Sequence, residues 1–152
     1  MDQIQQTNTG YALLMLLAGM GIPIMAALNA GLGVKLESPA LAATILFFVG
    51  LIGSVAFLLI FEGIPTEIAS HAIPIYFYLS GLFVLFYVLS ISWVAPYFGI
   101  GNAISFVLLG QLLAMTTIDQ FGLMGAEQTS LTWPRILGLV FMSIGVFLVV
   151  RK

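Results

Sequence analysis

Between Glu67 and Asp119 the chain runs for 51 residues (68 to 118) without one Asp, Glu, Lys or Arg. Only His71, at the start of the run, could carry charge. As a single helix the run would be roughly 76 Å long at about 1.5 Å per residue. A bilayer's hydrocarbon core is about 30 Å thick. The run must therefore fold into two spans, with a turn near Ala95-Pro96-Tyr97-Phe98-Gly99. The medium such a chain is built for is lipid.

The rest of the sequence obeys the same constraint. It is 61% hydrophobic and 7% charged, against roughly 25% charge in soluble domains. Its 152 residues predict a single transmembrane domain over 1–152. A net charge of −2 gives no reason to expect a nucleic acid as partner. Without Cys there are no disulfides or thiolate metal sites. The opening MDQIQQTNTG lacks the positive stretch of a signal peptide, so the segment from Tyr11 reads as a retained span.

The ten charged residues punctuate the apolar runs. They predict an all-α integral membrane protein with helices at about 11–32, 38–61, 74–94, 99–118 and 133–150. Thr7 and Thr9 are candidate caps for the first helix. Ser38-Pro39 is a cap followed by proline at the first helical position of the second. Trp93 is placed as an interfacial anchor. Continuous apolar runs rather than period-two alternation exclude a β-barrel reading. Five spans put the two ends of the sequence on opposite sides. Lys35, Arg151 and Lys152 then share one side and Arg135 stands on the other. A bias of three against one is a weak topological instruction. The chain is therefore expected to insert both ways, or to need a partner of opposite orientation.

Polar residues within spans are the candidate functional positions, because they face a bundle interior or cavity. Gln111, near the middle of the fourth helix, reads either as a helix-to-helix hydrogen bond or as a substrate-lining amide. Asn102 lies about 180° round an ideal helix from it, so the two amides do not line one lumen. Asn102 groups with Ser105 and Thr116. In the first helix Pro23 removes the bond to the Gly19 carbonyl, and Gly19, Gly21 and Pro23 make a flexible midpoint. Asn29, one turn from Met25, reads as a helix cap or as a group at a cavity mouth. Asp119, His71 and Glu62 are titratable groups at apolar borders, and Asp119 is the candidate coupling group. No carboxylate lies deep in a span. Tyr76, Tyr78, Tyr87 and Phe86 read as lipid-facing or belt residues, or as the lining for an aromatic or cationic substrate. Gly138 and Gly145, seven apart on the last helix with Ser143 nearby, read as a close-approach dimer seam.

No catalytic arrangement is present. The chain has one His and no Cys, no G-x-S-x-G, no P-loop and no H-E-x-x-H. It reads as a non-enzyme with no cofactor and no metal site.

Several stretches carry a family resemblance. They are Pro23-Ile-Met-Ala-Ala-Leu-Asn29-Ala-Gly-Leu-Gly33, Ser38-Pro39-Ala-Leu-Ala-Ala43 and Phe47-Phe-Val-Gly50. Further on come Val94-Ala-Pro96-Tyr-Phe-Gly99, Gly110-Gln111, Ile118-Asp119-Gln-Phe-Gly122-Leu-Met-Gly125, and Arg135-Ile-Leu-Gly138 with Gly145. This order resembles the YdcZ-like family of the drug/metabolite transporter superfamily over nearly the whole chain. Met25 stands where that family often has Gln, and Ser80-Gly81 with Val84 where it often has a Gly pair and a further Gly. The resemblance implies five helices equivalent to half of a ten-helix inverted-repeat transporter, assembled as an antiparallel dimer. Related small multidrug-resistance transporters pair through small residues seven apart on the last helix, which Gly138 and Gly145 look like. They also carry an essential membrane Glu in the first helix, and this chain has none.

The resulting expectation is a subunit of a small-molecule transporter, an exporter, in the inner (cytoplasmic) membrane. It would work as a homodimer or with a paralogous subunit, in contact with membrane lipid. Its midplane site would be lined by Gln111, Asn29, Pro23, Met25 and Asn102. The alternatives are a passive ion channel of dual topology, or a non-transporting partner of another membrane protein.

Overall fold

A computed structural model of the chain describes residues 2–64 and 73–150. Helices account for nearly all of them: α1 (Asp2–Lys35), α2 (Pro39–Phe57), α3 (Ser80–Phe98), α4 (Ile100–Phe121) and α5 (Trp133–Val150). The described residues contain five helical segments long and apolar enough to cross a membrane: Thr9–Lys35, Pro39–Glu62, Ile75–Phe98, Ile100–Phe121 and Trp133–Val150. Large apolar side chains cover their surfaces, among them Leu13, Leu28, Ile60, Phe86 and Phe147. In water such faces would drive aggregation; in lipid they are the solvated surface.

Local sequence explains where most helices stop. Ser38 is extended, and its Oγ accepts from the Leu41 amide at 3.2 Å. Pro39 follows at the first helical position, where its missing N–H costs nothing. At its far end α2 loosens into a π-turn, Leu58–Glu62, closed by the Gly63 amide on the Leu58 carbonyl. Gly63 has φ 77°, a left-handed value open to glycine. Gly122 ends α4 in the same way, with φ 58° and its N–H on the Ile118 carbonyl.

Three sequence expectations are displaced. Thr7 and Thr9 lie inside α1, which already begins at Asp2, so neither is an N-cap. The turn expected over Ala95 to Gly99 shrinks to Gly99 alone, at φ 89°, because α3 continues through Pro96 to Phe98. Proline that late in a helix removes one backbone bond, from the Ser92 carbonyl, without blocking the turns beyond. α1 likewise runs unbroken through Pro23. His71, Glu67, Arg151 and Lys152 lie outside the described residues.

The chain divides into two compact units, Met1–Tyr97 and Phe98–Lys152. In the first, α1 packs on α2 through small residues, with Ala26, Ala30, Ala42 and Ala43 all buried. A Cβ on Gly33 would stand 3.3 Å from the Pro39 Cα, so glycine sets how closely the two helices approach. Interfaces of small residues are how helices gain van der Waals contact in lipid. In the second unit α4 packs on α5.

Candidate functional site

The most buried polar groups of the first unit form one connected arrangement. Asn29 is 3% exposed and Ser92 1% exposed. The Asn29 Nδ2 donates to the Ser92 Oγ at 2.6 Å, and that hydroxyl donates to the Val88 carbonyl at 2.6 Å. Asn29 lies beside the Ala26–Ala30 contact stripe, and Ser92 shares a buried face of α3 with Val88, Ile91 and Ala95. Asn29 therefore does not cap α1, which continues to Lys35. Nothing in the sequence marks Ser92 as its partner.

Ser92 also lines an open cavity of about 360 Å³ with Gly33, Glu37, Pro39, Trp93 and Tyr97. The cavity sits where α1 hands over to α2. There the Ser38 amide bonds the Gly33 carbonyl and the Glu37 amide bonds the Val34 carbonyl. This pair of bonds closes a Schellman motif, whose left-handed position is usually glycine. Glu37 occupies it, at φ 52°. A residue with a Cβ in that conformation costs on the order of 1 kcal/mol. Sequence reading missed both Glu37 and Ser92 as site residues. Pro23 and Met25, half-buried on α1, belong to the same unit.

In the second unit Gln111 lies near the middle of α4, exposed, and its amide has no hydrogen-bond partner among the described residues. Leu109 and Phe106 line a groove of about 390 Å³ with Ser143 and Val146 of α5. Gln111 is about 160° round the helix from Leu109, on the face turned away from α5. Asn102, in the first turn of α4, reaches back across Gly99, its Nδ2 donating to the Phe98 carbonyl at the end of α3 at 2.9 Å. Ser105 and Thr116 also bond carbonyls four residues back. All three polar groups find a backbone carbonyl four residues back; among the described residues Gln111 finds no partner.

Asp119 and Arg135 form an ion pair that joins the end of α4 to the start of α5, both side chains being part-buried. The connecting loop is tied to the same place. Thr129 N–H bonds the Asp119 carbonyl at 2.9 Å, Gln120 Oε1 accepts from the Leu131 amide at 2.7 Å, and Gln128 Nε2 donates to the Gln120 carbonyl at 3.0 Å. Asp119 is thus engaged as an anchor of the loop. Glu62 is exposed at the end of its π-turn.

On α5, a Cβ added at Gly138 or Gly145 would meet nothing within 4 Å. Both lie about 140–160° round the helix from Ser143, with Met142 about 40–60° from the glycines on the side toward Ser143. Ser143 therefore belongs to the groove against α4 and not to the glycine face.

Five membrane-capable helices carrying isolated polar groups define a multi-pass membrane protein. The chain belongs to the YdcZ family: a family model described as "Putative inner membrane exporter, YdcZ" matches residues 10–148. No curated protein and no solved structure matched the chain. The family places the protein in the inner membrane and among transporters rather than enzymes.

Proposed function

We propose that the chain is one half of a small-molecule exporter that works as a dimer, homomeric or with a paralogous subunit, around a midplane site. The observation that carries this reading is Gln111. An amide near the centre of a membrane-spanning helix, exposed and unbonded among the described residues, is costly in hydrocarbon. A second subunit, a substrate or both would supply its partners. Pro23, Met25, Asn29 and Asn102 are the remaining lining positions of the proposal, and Asp119 its coupling group.

The open Gly138–Gly145 face supports the dimer, since small residues permit close helix approach. The weak Lys/Arg bias supports an antiparallel arrangement, in which two oppositely inserted chains generate the inverted repeats of a transporter. The single transmembrane domain of the proposal would then be half of the working unit.

The test is a ligand-stability screen of the purified protein, followed by flux of the stabilising compound in proteoliposomes. Saturable flux that depends on a counter-ion gradient is expected. Conductance at single-channel rates would replace the transporter with a channel. Co-purification with an unrelated complex, without flux, would make the chain a partner subunit.

A further inference from the structure

We propose that the cavity at the α1–α2 turn is a binding site for a small organic cation, with Glu37 as its counter-charge.

The argument begins with the backbone. Glu37 holds the left-handed position of a Schellman motif that glycine would occupy without strain. Its carboxylate takes no part in an ion pair or hydrogen bond among the described residues, so no structural contact offsets that strain. Strained residues of this kind cluster at functional sites. Here the strained residue is the charged member of a cavity lining.

Its surroundings select the sign and shape of the ligand. Trp93 and Tyr97 line the same cavity and are 65% and 85% exposed, leaving ring surface for a ligand. Aromatic faces beside a carboxylate are the arrangement that holds ammonium groups. The carbonyl end of α1 terminates at the cavity and adds negative potential. Pro96, also in the lining, lacks the N–H that would have bonded the Ser92 carbonyl four residues back, which frees an acceptor there. Lys35, in the last turn of α1, is outside the lining. A volume of about 360 Å³ falls within the roughly 300–1,000 Å³ of small-molecule sites.

The test uses full-length protein in zwitterionic nanodiscs with Trp133→Phe, which leaves Trp93 as the sole tryptophan. Titration with benzyltrimethylammonium should change Trp93 fluorescence saturably, and benzenesulfonate, an anion of similar size, should not. Glu37→Gln should weaken the cation about tenfold, from loss of the counter-charge. Glu37→Gly should lose binding equally while melting no lower than the parent, which keeps the test decisive if the Gln variant folds poorly. Absence of a saturable cation response, an equal response to benzenesulfonate, or parental affinity in the well-folded Glu37 variants would each overturn the proposal. Binding is read here without flux, so failure of the transporter reading leaves this result intact, and the reverse.

Discussion

Asn29 and Ser92, 63 positions apart, are joined by a 2.6 Å hydrogen bond between two side chains that are almost wholly buried. The serine hydroxyl relays it to the Val88 carbonyl. Hydrogen bonds between membrane helices average about 0.6 kcal/mol in double-mutant cycles. Deleting only one partner costs more, because a buried amide without a partner carries its own penalty of about 1–3 kcal/mol.

Ser92→Ala is therefore expected to lower stability by about 1–2 kcal/mol, and Asn29→Ala by a similar amount. The double variant should lose less than the two single losses together. Equilibrium unfolding in detergent micelles measures all three. Strict additivity would mean that the pair does not couple α1 to α3.

The Asp119–Arg135 ion pair allows a separation of anchoring from coupling. Both groups are part-exposed, so the pair itself contributes less than about 1 kcal/mol. Arg135→Gln should loosen the loop around Thr129 and Leu131, visible as faster amide hydrogen exchange there. The charge-swapped double variant, Asp119→Arg with Arg135→Asp, should restore the protection. If Asp119 also couples transport to an ion, the swapped protein will be protected but inactive. If it only anchors the loop, flux will return with the protection.

Gly138 and Gly145 present an open face on α5. Gly138→Leu and Gly145→Leu should each shift purified protein toward monomer, by preventing close backbone approach. Ile144→Leu, on another face and nearly volume-conserving, should leave the oligomer unchanged. Light scattering in detergent reads the result. Two glycine variants that remain dimeric and active would place the interface elsewhere.

What the sequence disclosed and what it withheld divide along physical lines. Apolar runs of span length set the number of helices, because in lipid no other open-chain structure satisfies its backbone. Ser38-Pro39 fixed a helix start because both residues act locally. Thr7 and Thr9 misled, since a threonine caps only where a helix begins and the helix here begins earlier. Pro96 misled because proline is tolerated within the last turns of α3. Ser92 was invisible: a serine among apolar residues acquires its meaning from the helix that packs over it. Glu37 was equally hidden, for its left-handed backbone follows from the Gly33–Ser38 and Val34–Glu37 bonds rather than from its type. The Asp119–Arg135 pair was the nearest miss. Two opposite charges flanking a loop between antiparallel helices are natural partners.

Gln111 gives the sharpest test of the exporter reading. Its amide stands near the middle of α4, turned away from the groove against α5, and unpartnered among the described residues. Leucine has similar bulk and no polar atom, so Gln111→Leu removes the amide without leaving a cavity. If the amide only bonded a neighbouring helix, removal would cost about 0.6 kcal/mol and leave flux nearly intact. If it binds substrate, the variant should express, assemble and melt like the parent, or slightly higher, because an amide no longer has to sit in hydrocarbon. It should at the same time lose ligand-induced stabilisation and flux by an order of magnitude or more, as a site built to hydrogen-bond its substrate does when that bond is lost. Parental flux in Gln111→Leu would remove Gln111 from the site. Failure of the variant to assemble would instead make it part of the dimer contact.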